Sequence, residues 1–308
     1  MSRSAGAAAR GASAAEWVTR RERGSIWLLR MMALLSLTLG RRAGRVILYF
    51  IATYFFLFAP SARRASIAYL RRALGREPTA RDRFRQVMTF ATTIHDRVYL
   101  LNDRFELFDI TVAGDELMRE RMRAGGGAFL VGAHMGSFEV TRAIGRLQPG
   151  LRVAMVAYEA NARKINAMLA AINPRLAADT VGLGSVEAML RVQGLLDEGV
   201  FVGMLGDRTP GGEATQVVEF LGAAARFPIG PMRLAALLGR KVIFMVGVHC
   251  GGNRYRVVFE EIADFSGVRR AERESAIRES VERYARKLES YWLQYPHNWF
   301  NFFDFWAE

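Results

Sequence analysis

Two strongly apolar runs open the patterned part of the chain, SIWLLRMMALLSLTLG at 25–40 and RVILYFIATYFFLFAP at 45–60. Arginines bracket both: Arg20, Arg21 and Arg23 before the first, Arg41, Arg42 and Arg45 between them, Arg63 and Arg64 after the second. A helix that crosses a bilayer needs about 20 predominantly apolar residues. The second run falls short of that, and Arg30 interrupts the first. Cations on both sides also lack the one-sided bias that orients a spanning segment. The pattern predicts a pair of helices lying on, or dipping into, a membrane leaflet, apolar faces among acyl chains and arginines at lipid phosphates. A buried helical hairpin is the alternative, and Tyr49, Tyr54, Phe55 and Phe56 suit interfacial anchoring or core packing alike.

From about residue 80 the period alternates between 3.6 and 2. RDRFRQVMTFATTIHDRVYLL reads as a helix, ELFDITVAG as a strand, DELMRERMRAG as a helix closed by glycine, AFLVGA as a short buried strand, and SFEVTRAIGRL as a helix. RVAMVAY is a strand, NARKINAMLAAI a helix begun by Asn161, SVEAMLRVQGLLDEG a helix and VFVGMLGD a strand. The helix GPMRLAALLGR, the strands KVIFMVGVHC and RYRVVFEEI, and a long charged helix over 268–293 complete the series. Strands separated by helices of this length predict an α/β fold, a sheet with helices on both faces. The domain reading is a disordered Ala/Ser/Gly-rich tail at 1–24, membrane-associated helices at 25–75 and one catalytic domain at 76–308. The tail lacks the apolar segment of a secretory signal.

Charge narrows the classes of partner. The formal net charge is +13, and the excess is almost all arginine, which suits an anionic membrane surface, an acidic carrier protein or nucleic acid. The single cysteine, Cys250, excludes an intrachain disulfide framework and a cysteine-rich metal site.

Reactive residues of such sheets gather beyond the carboxyl ends of strands. Two strand ends carry suitable groups: VGAHMGS, with His134, and VGMLGDRTPGG, with Asp207 and Arg208. Histidine suits proton abstraction near neutrality, and it works better when a carboxylate fixes the ring. Glu139, five residues on, can serve if His134 sits on the turn and Glu139 in the first helical turn, with Ser137 as N-cap. Gly136 would let the backbone come close to substrate, and amides at the helix start could hold an oxyanion. Otherwise Glu139 merely complements the helix dipole. Asp207 is read as orienting Arg208, which would bind a donor phosphate or an acceptor anion, with a structural ion pair as the alternative. Asn161, Arg163 and Lys164 are candidate substrate contacts. His95, His249 and His297 match no metal-site spacing and read as structural. GLGS at 182–185 lacks the lysine of a phosphate loop. No cofactor and no metal are expected. The closing run of Trp299, Phe300, Phe302, Phe303, Phe305 and Trp306 lines an acyl channel, packs on the N-terminal helices, or belongs to the core.

With these residues in view, AHMGSFE resembles the H-x4-D/E motif of the lysophospholipid acyltransferase superfamily, in particular the branch of late lipid A acyltransferases of the lauroyl and myristoyl type. YEANARKIN, GDRTPGG, VVEFLGAAARFPIGPMRLA and YPHNWFNFFDFW extend the likeness over most of the chain. The resemblance implies a mixed sheet flanked by helices, as in glycerolipid acyltransferases, with an N-terminal membrane-associated helical segment. It implies His134 as general base supported by Glu139, an acyl carrier protein or acyl-CoA thioester as donor, and a lipid or glycolipid hydroxyl as acceptor. Membrane lipids are implied partners, at the cytoplasmic face of the inner membrane. Two departures matter. Where lipid A enzymes often carry Tyr-Arg-Pro, this chain reads Tyr158-Glu159-Ala160, and its terminal aromatic run carries Asp304 and no cation. Both argue against a phosphate-rich lipid A acceptor, and the closing signature more resembles a sub-branch of predicted acyltransferases, some of them associated with aryl polyene pathways. Three other functions compete: hydrolysis of the thioester, a basic nucleic-acid-binding protein (which no recognisable motif supports), and an inactive membrane scaffold.

Overall fold

A computed structural model describes residues 26–147, 150–173, 180–208 and 213–306. The expected tail at 1–24 lies outside them. Three helices come first: α1 (Ile26–Phe58), α2 (Pro60–Leu74) and α3 (Ala80–Leu100). Then β1 (Asp109–Ala113), α4 (Asp115–Arg123), β2 (Phe129–Gly132), α5 (Phe138–Leu147), β3 (Val153–Tyr158), α6 (Glu159–Ile172), β4 (Thr180–Leu183), α7 (Val186–Asp197) and β5 (Phe201–Leu205) alternate. A hairpin, β6 (Thr215–Phe220) and β7 (Ala223–Pro228), precedes α8 (Gly230–Leu237), β8 (Lys241–His249), β9 (Arg254–Asp264) and α9 (Arg273–Gln294).

Seven strands form one sheet in the order β1-β9-β8-β2-β5-β3-β4. The run from β8 to β4 is parallel, and β9 turns back antiparallel to β8 with β1 parallel to it. The sheet is therefore mixed. Its central strands read as continuous apolar runs because helices cover both faces: every residue of β2 is buried. Phe129 and Val131 enter the core on the face covered by α8 and α9, where Tyr284 and Trp292 pack. Leu130 enters the opposite core with Val140 and Ile144 of α5.

Several elements differ from the sequence pattern. The strand expected over ELFDITVAG is shorter, with a 3₁₀ turn at Phe105–Leu107 ahead of it. The helix expected to begin at Asn161 begins at Glu159. Strand β4 has four residues, too few to show a period, and the β6–β7 hairpin hid inside an apolar stretch. Its turn residues, Leu221 and Gly222, both have positive φ (50° and 70°), as a two-residue turn matched to strand twist requires.

The two N-terminal runs are the two helical stretches of α1, separated by a break at Gly40, where φ is 80° and ψ 164°. The packed side of α1 carries mostly small buried residues, Ala33 and Ser36 before the break and Gly44, Leu48 and Ala52 after it, three or four apart within each stretch as a helix face demands. At Gly44 a Cβ would come within 2.3 Å of the His95 ring on α3, so the two helices approach as only glycine permits. Arg41 then locks α1 down. It makes a two-pronged contact with the fully buried Asp96 at 2.7 and 2.8 Å, and the Tyr255 hydroxyl donates to the same carboxylate at 2.8 Å. The other side of α1 is open. Fourteen of the nineteen large apolar side chains exposed among the described residues belong to α1, including Val46, Phe50, Tyr54 and Phe58. No single described helix is long and apolar enough to cross a membrane; α1 and α2 together, bent by 91°, have the length and composition of a broken span.

Candidate active site

Strands β2 and β5 are neighbours with Gly132 opposite Leu205, a pairing carried one step further by the bond from the Gly206 amide to the Gly132 carbonyl. Counting two residues past each strand end reaches His134 on one side and Asp207 on the other. Sheet register alone therefore brings together two residues 73 positions apart. The Asp207 carboxylate is completely buried. It accepts the His134 backbone N–H at 3.1 Å, sits 2.8 Å from His134 Nδ1, and lies 3.5 Å from the Trp299 indole N–H. A buried carboxylate is tolerated where donors satisfy it.

These contacts assign the tautomer. A carboxylate on Nδ1 calls for a proton there, which leaves the lone pair on Nε2, and Arg208 Nε donates to that nitrogen at 3.1 Å. The His134 side chain is 30% exposed, so Nε2 is the nitrogen a substrate can reach. Burial lowers the His134 pKa, and the cations Arg208 and Arg97 lower it further against the opposing pull of Asp207. Burial alone would raise the Asp207 pKa, but the imidazole and Arg208 outweigh it and hold the group ionised. The result is a neutral base oriented by a charged carboxylate, the arrangement that suits proton abstraction at neutral pH.

Glu139 stands elsewhere. Its carboxylate makes an ion pair with Arg97 of α3 at 2.9 Å and accepts from the Ser137 hydroxyl at 3.5 Å. The carboxylate partner of the ring in this structure is thus Asp207, not Glu139. The reason is the turn between them: Gly136, at φ 63°, swings the chain away from β2 before α5 begins. Ser137 does cap α5, accepting the Val140 amide at 3.3 Å. The expected role of Gly136 is corrected. A Cβ at Gly136 would lie 1.9 Å from the Gly247 carbonyl, so the glycine serves close packing on β8. The Gly136 and Ser137 amides are spent on the Asn298 and Gly247 carbonyls at 2.8 and 2.7 Å and are not free for an oxyanion.

The segment after α9 completes the wall. Trp299 pairs with Met135 in a short antiparallel bridge, and the Phe300 amide donates to the His134 carbonyl at 3.0 Å. Trp299 itself is fully buried against Tyr69 of α2 and Trp292, so it is a core residue whose segment also grips the His134 turn. Fully buried Asn301 accepts from Arg208 at 3.4 Å. Arg97 and Asn301 are neighbours of the site that the sequence did not mark, because helix patterning accounted for Arg97 and the closing aromatic run surrounded Asn301. His134 and Asp207 share a two-residue overhang past their strands, but only the pairing of β2 with β5 in the sheet links them.

The side chains of Asn161, Arg163 and Lys164 lie outside the described residues, as do those of Tyr158, Glu159 and Ala160. His95 packs beneath α1, and His249 and His297 lie in a separate cleft. Among the described residues no cluster of His, Cys, Asp and Glu is disposed to hold a metal ion.

A family model described as bacterial lipid A biosynthesis acyltransferase matches residues 17–306. Among curated proteins, none matches the chain.

Proposed function

The chain belongs to the bacterial lipid A biosynthesis acyltransferase family, whose reaction is acyl transfer to a lipid acceptor, and from that premise we propose a mechanism centred on His134. The acceptor hydroxyl displaces Arg208 from Nε2 and gives its proton to that nitrogen. Its oxygen attacks the carbonyl carbon of a fatty acyl thioester, of acyl carrier protein or coenzyme A, and forms the new C–O bond. The C–S bond then breaks, and the departing sulfur takes the proton back from the imidazolium. Asp207 holds the ring by Nδ1 and steadies its positive charge. Arg208, freed from Nε2 but tethered near Asn301, is placed to meet the developing oxyanion. Glu139 acts at one remove, neutralising Arg97, whose charge otherwise weakens the base.

The observation that carries this reading is the 2.8 Å contact between His134 Nδ1 and Asp207, which leaves Nε2 as an acceptor. The acceptor we infer is a hydroxylated lipid or glycolipid poor in phosphate, in keeping with Glu159 and Asp304 where lipid A enzymes present cations, and close to the aryl-polyene-associated branch. The exposed apolar side of α1 supports attachment to a membrane, the catalytic domain on the cytoplasmic side of the inner membrane. Purified His134→Ala protein should transfer no acyl group from a carrier-protein thioester to extracted lipid, measured by mass spectrometry. Transfer at the wild-type rate would overturn the mechanism, and release of free fatty acid in place of acylated lipid by the wild type would make the enzyme a hydrolase.

A further inference from the structure

A cleft of about 1140 Å³ lies between α1, α3 and the segment that follows α9. Arg45 of α1, Arg76 from the turn before α3, Arg81 and Arg85 of α3, and the imidazoles of His249 and His297 line it. We propose that this cleft binds the phosphate of an anionic lipid headgroup, at a site separate from the transfer site.

The charge balance points that way. Asp82 is the one acidic residue in the lining, and it is engaged by Arg76 at 2.8 Å and by Thr79 at the start of α3. Among the described residues no carboxylate pairs with Arg45, Arg81 or Arg85. Arg45 is directed instead to the Gly252 carbonyl at 2.6 Å. His297 is a largely buried ring whose Nε2 has no hydrogen-bond partner. Burial first, then the nearby Arg85 and Arg76, push its pKa down to about 4 against Asp82, which lies 3.9 Å away. Three uncompensated guanidiniums around a neutral, unsatisfied imidazole form a cavity short of one anion. Guanidinium groups match phosphate oxygens in pairs.

The surroundings favour a lipid over a free solute or a protein. Tyr49 and Phe84, stacked with ring centres 6.5 Å apart, form an apolar flank. Tyr49 belongs to the exposed apolar row of α1 with Val46 and Phe50, so acyl chains leaving the cleft would run along that row. A concavity of this size suits a headgroup, whereas an acidic carrier protein would be met by a raised cationic patch.

The site is independent of the chemistry. His134, Asp207 and Arg208 do not line it. Asn298 stands between the two, its carbonyl taking the Gly136 amide and its side chain bonding both backbone groups of His249.

The test uses the full chain in non-ionic detergent, with histidine ring resonances followed by NMR during titration with monomeric dihexanoyl phosphatidic acid or with inorganic phosphate. Saturable binding of the phospholipid should shift the His297 and His249 signals and leave His134 unmoved. The Arg81→Ala/Arg85→Ala double variant should bind at least ten-fold more weakly, and Arg85→Lys, which keeps the charge but loses the paired contact, should fall between it and the wild type. Both arginines are exposed, so a double variant that keeps the His95 and His134 resonances is folded. The proposal fails if no shift occurs, or if the double variant binds phosphatidic acid as the wild type does. Inorganic phosphate binding as tightly as the phospholipid would make this a free-phosphate site. Unchanged phospholipid binding with weaker binding of an acidic carrier-protein donor would make it a protein-docking surface.

Discussion

The ends of β2 and β5 and the outer side of α1 obey opposite rules. At the strand ends the chain buries charge: Asp207 is inaccessible to solvent, yet it is surrounded by donors from His134 and Trp299. On α1 it exposes apolar surface, with Phe50 at 74% and Phe58 at 64%, while Arg41 and a stripe of small residues hold the helix down from behind. Each is costly alone. A buried carboxylate without partners and an extended apolar surface in water are both unfavourable. The first is compensated inside the molecule. The second finds no compensation among the described residues, which is the physical reason for proposing a membrane there.

The sharpest break of this comparison lies inside the site. Asp207→Asn should lower kcat about 10³- to 10⁴-fold, the scale seen when a ring-orienting carboxylate becomes an amide. The amide group would donate to Nδ1, force the proton onto Nε2 and remove the lone pair that abstracts the substrate proton. Glu139→Gln should cost far less, about ten-fold, because Glu139 reaches the ring only through Arg97. Steady-state rates of both variants decide between the carboxylates. Equal losses, or a greater loss for Glu139→Gln, would restore Glu139 as the partner of the ring.

The second break moves to α1. Val46→Glu/Phe50→Glu should weaken vesicle association by at least about 100-fold, since each exposed apolar side chain contributes about 1.5–3 kcal/mol when buried and two are lost. Vesicle co-sedimentation measures that loss. Thermal stability should hardly change, because exposed substitutions usually stay within about 0.5 kcal/mol. A large fall in Tm with unchanged vesicle binding would mean that this side of α1 packs against protein.

The same contrast explains what could be read from sequence. The alternation of strands and helices was legible because each element spans a full period and covers one face. His134, Asp207 and Arg208 were legible as reactive strand ends, but their pairing was not: it depends on β2 lying beside β5, a non-local fact that spacing along the chain cannot encode. Glu139 looked like the partner because it is near in sequence, and Gly136 turns it away in space. Short β4 carried too few residues to display a pattern, and the six-residue strands β6 and β7 were hidden within an apolar stretch. The apolar runs of α1 were plain, whereas its attachment through Arg41, Gly44 and Ser36, each set by a partner 50 or more residues away, was not.

The smallest expected effect is a displacement of the acid limb of activity. His134 must be neutral to accept a proton, so kcat/KM should rise with pH through the His134 pKa and level off above it. Burial puts that pKa below the usual histidine value of about 6.5, so full activity should persist to pH values below those at which an exposed histidine would already be charged. Arg97 supplies part of the depression, and Glu139 offsets it. The sign follows for each variant. Arg97→Met removes a cation and should move the inflection to higher pH. Glu139→Gln leaves Arg97 uncompensated and should move it lower. Opposite displacements in pH–rate profiles would place both residues in one electrostatic relay to the base, beside the direct relay through Asp207. If both variants moved the inflection the same way, or neither moved it, the Arg97–Glu139 pair would be a structural tie between α3 and α5 with no hold on the base.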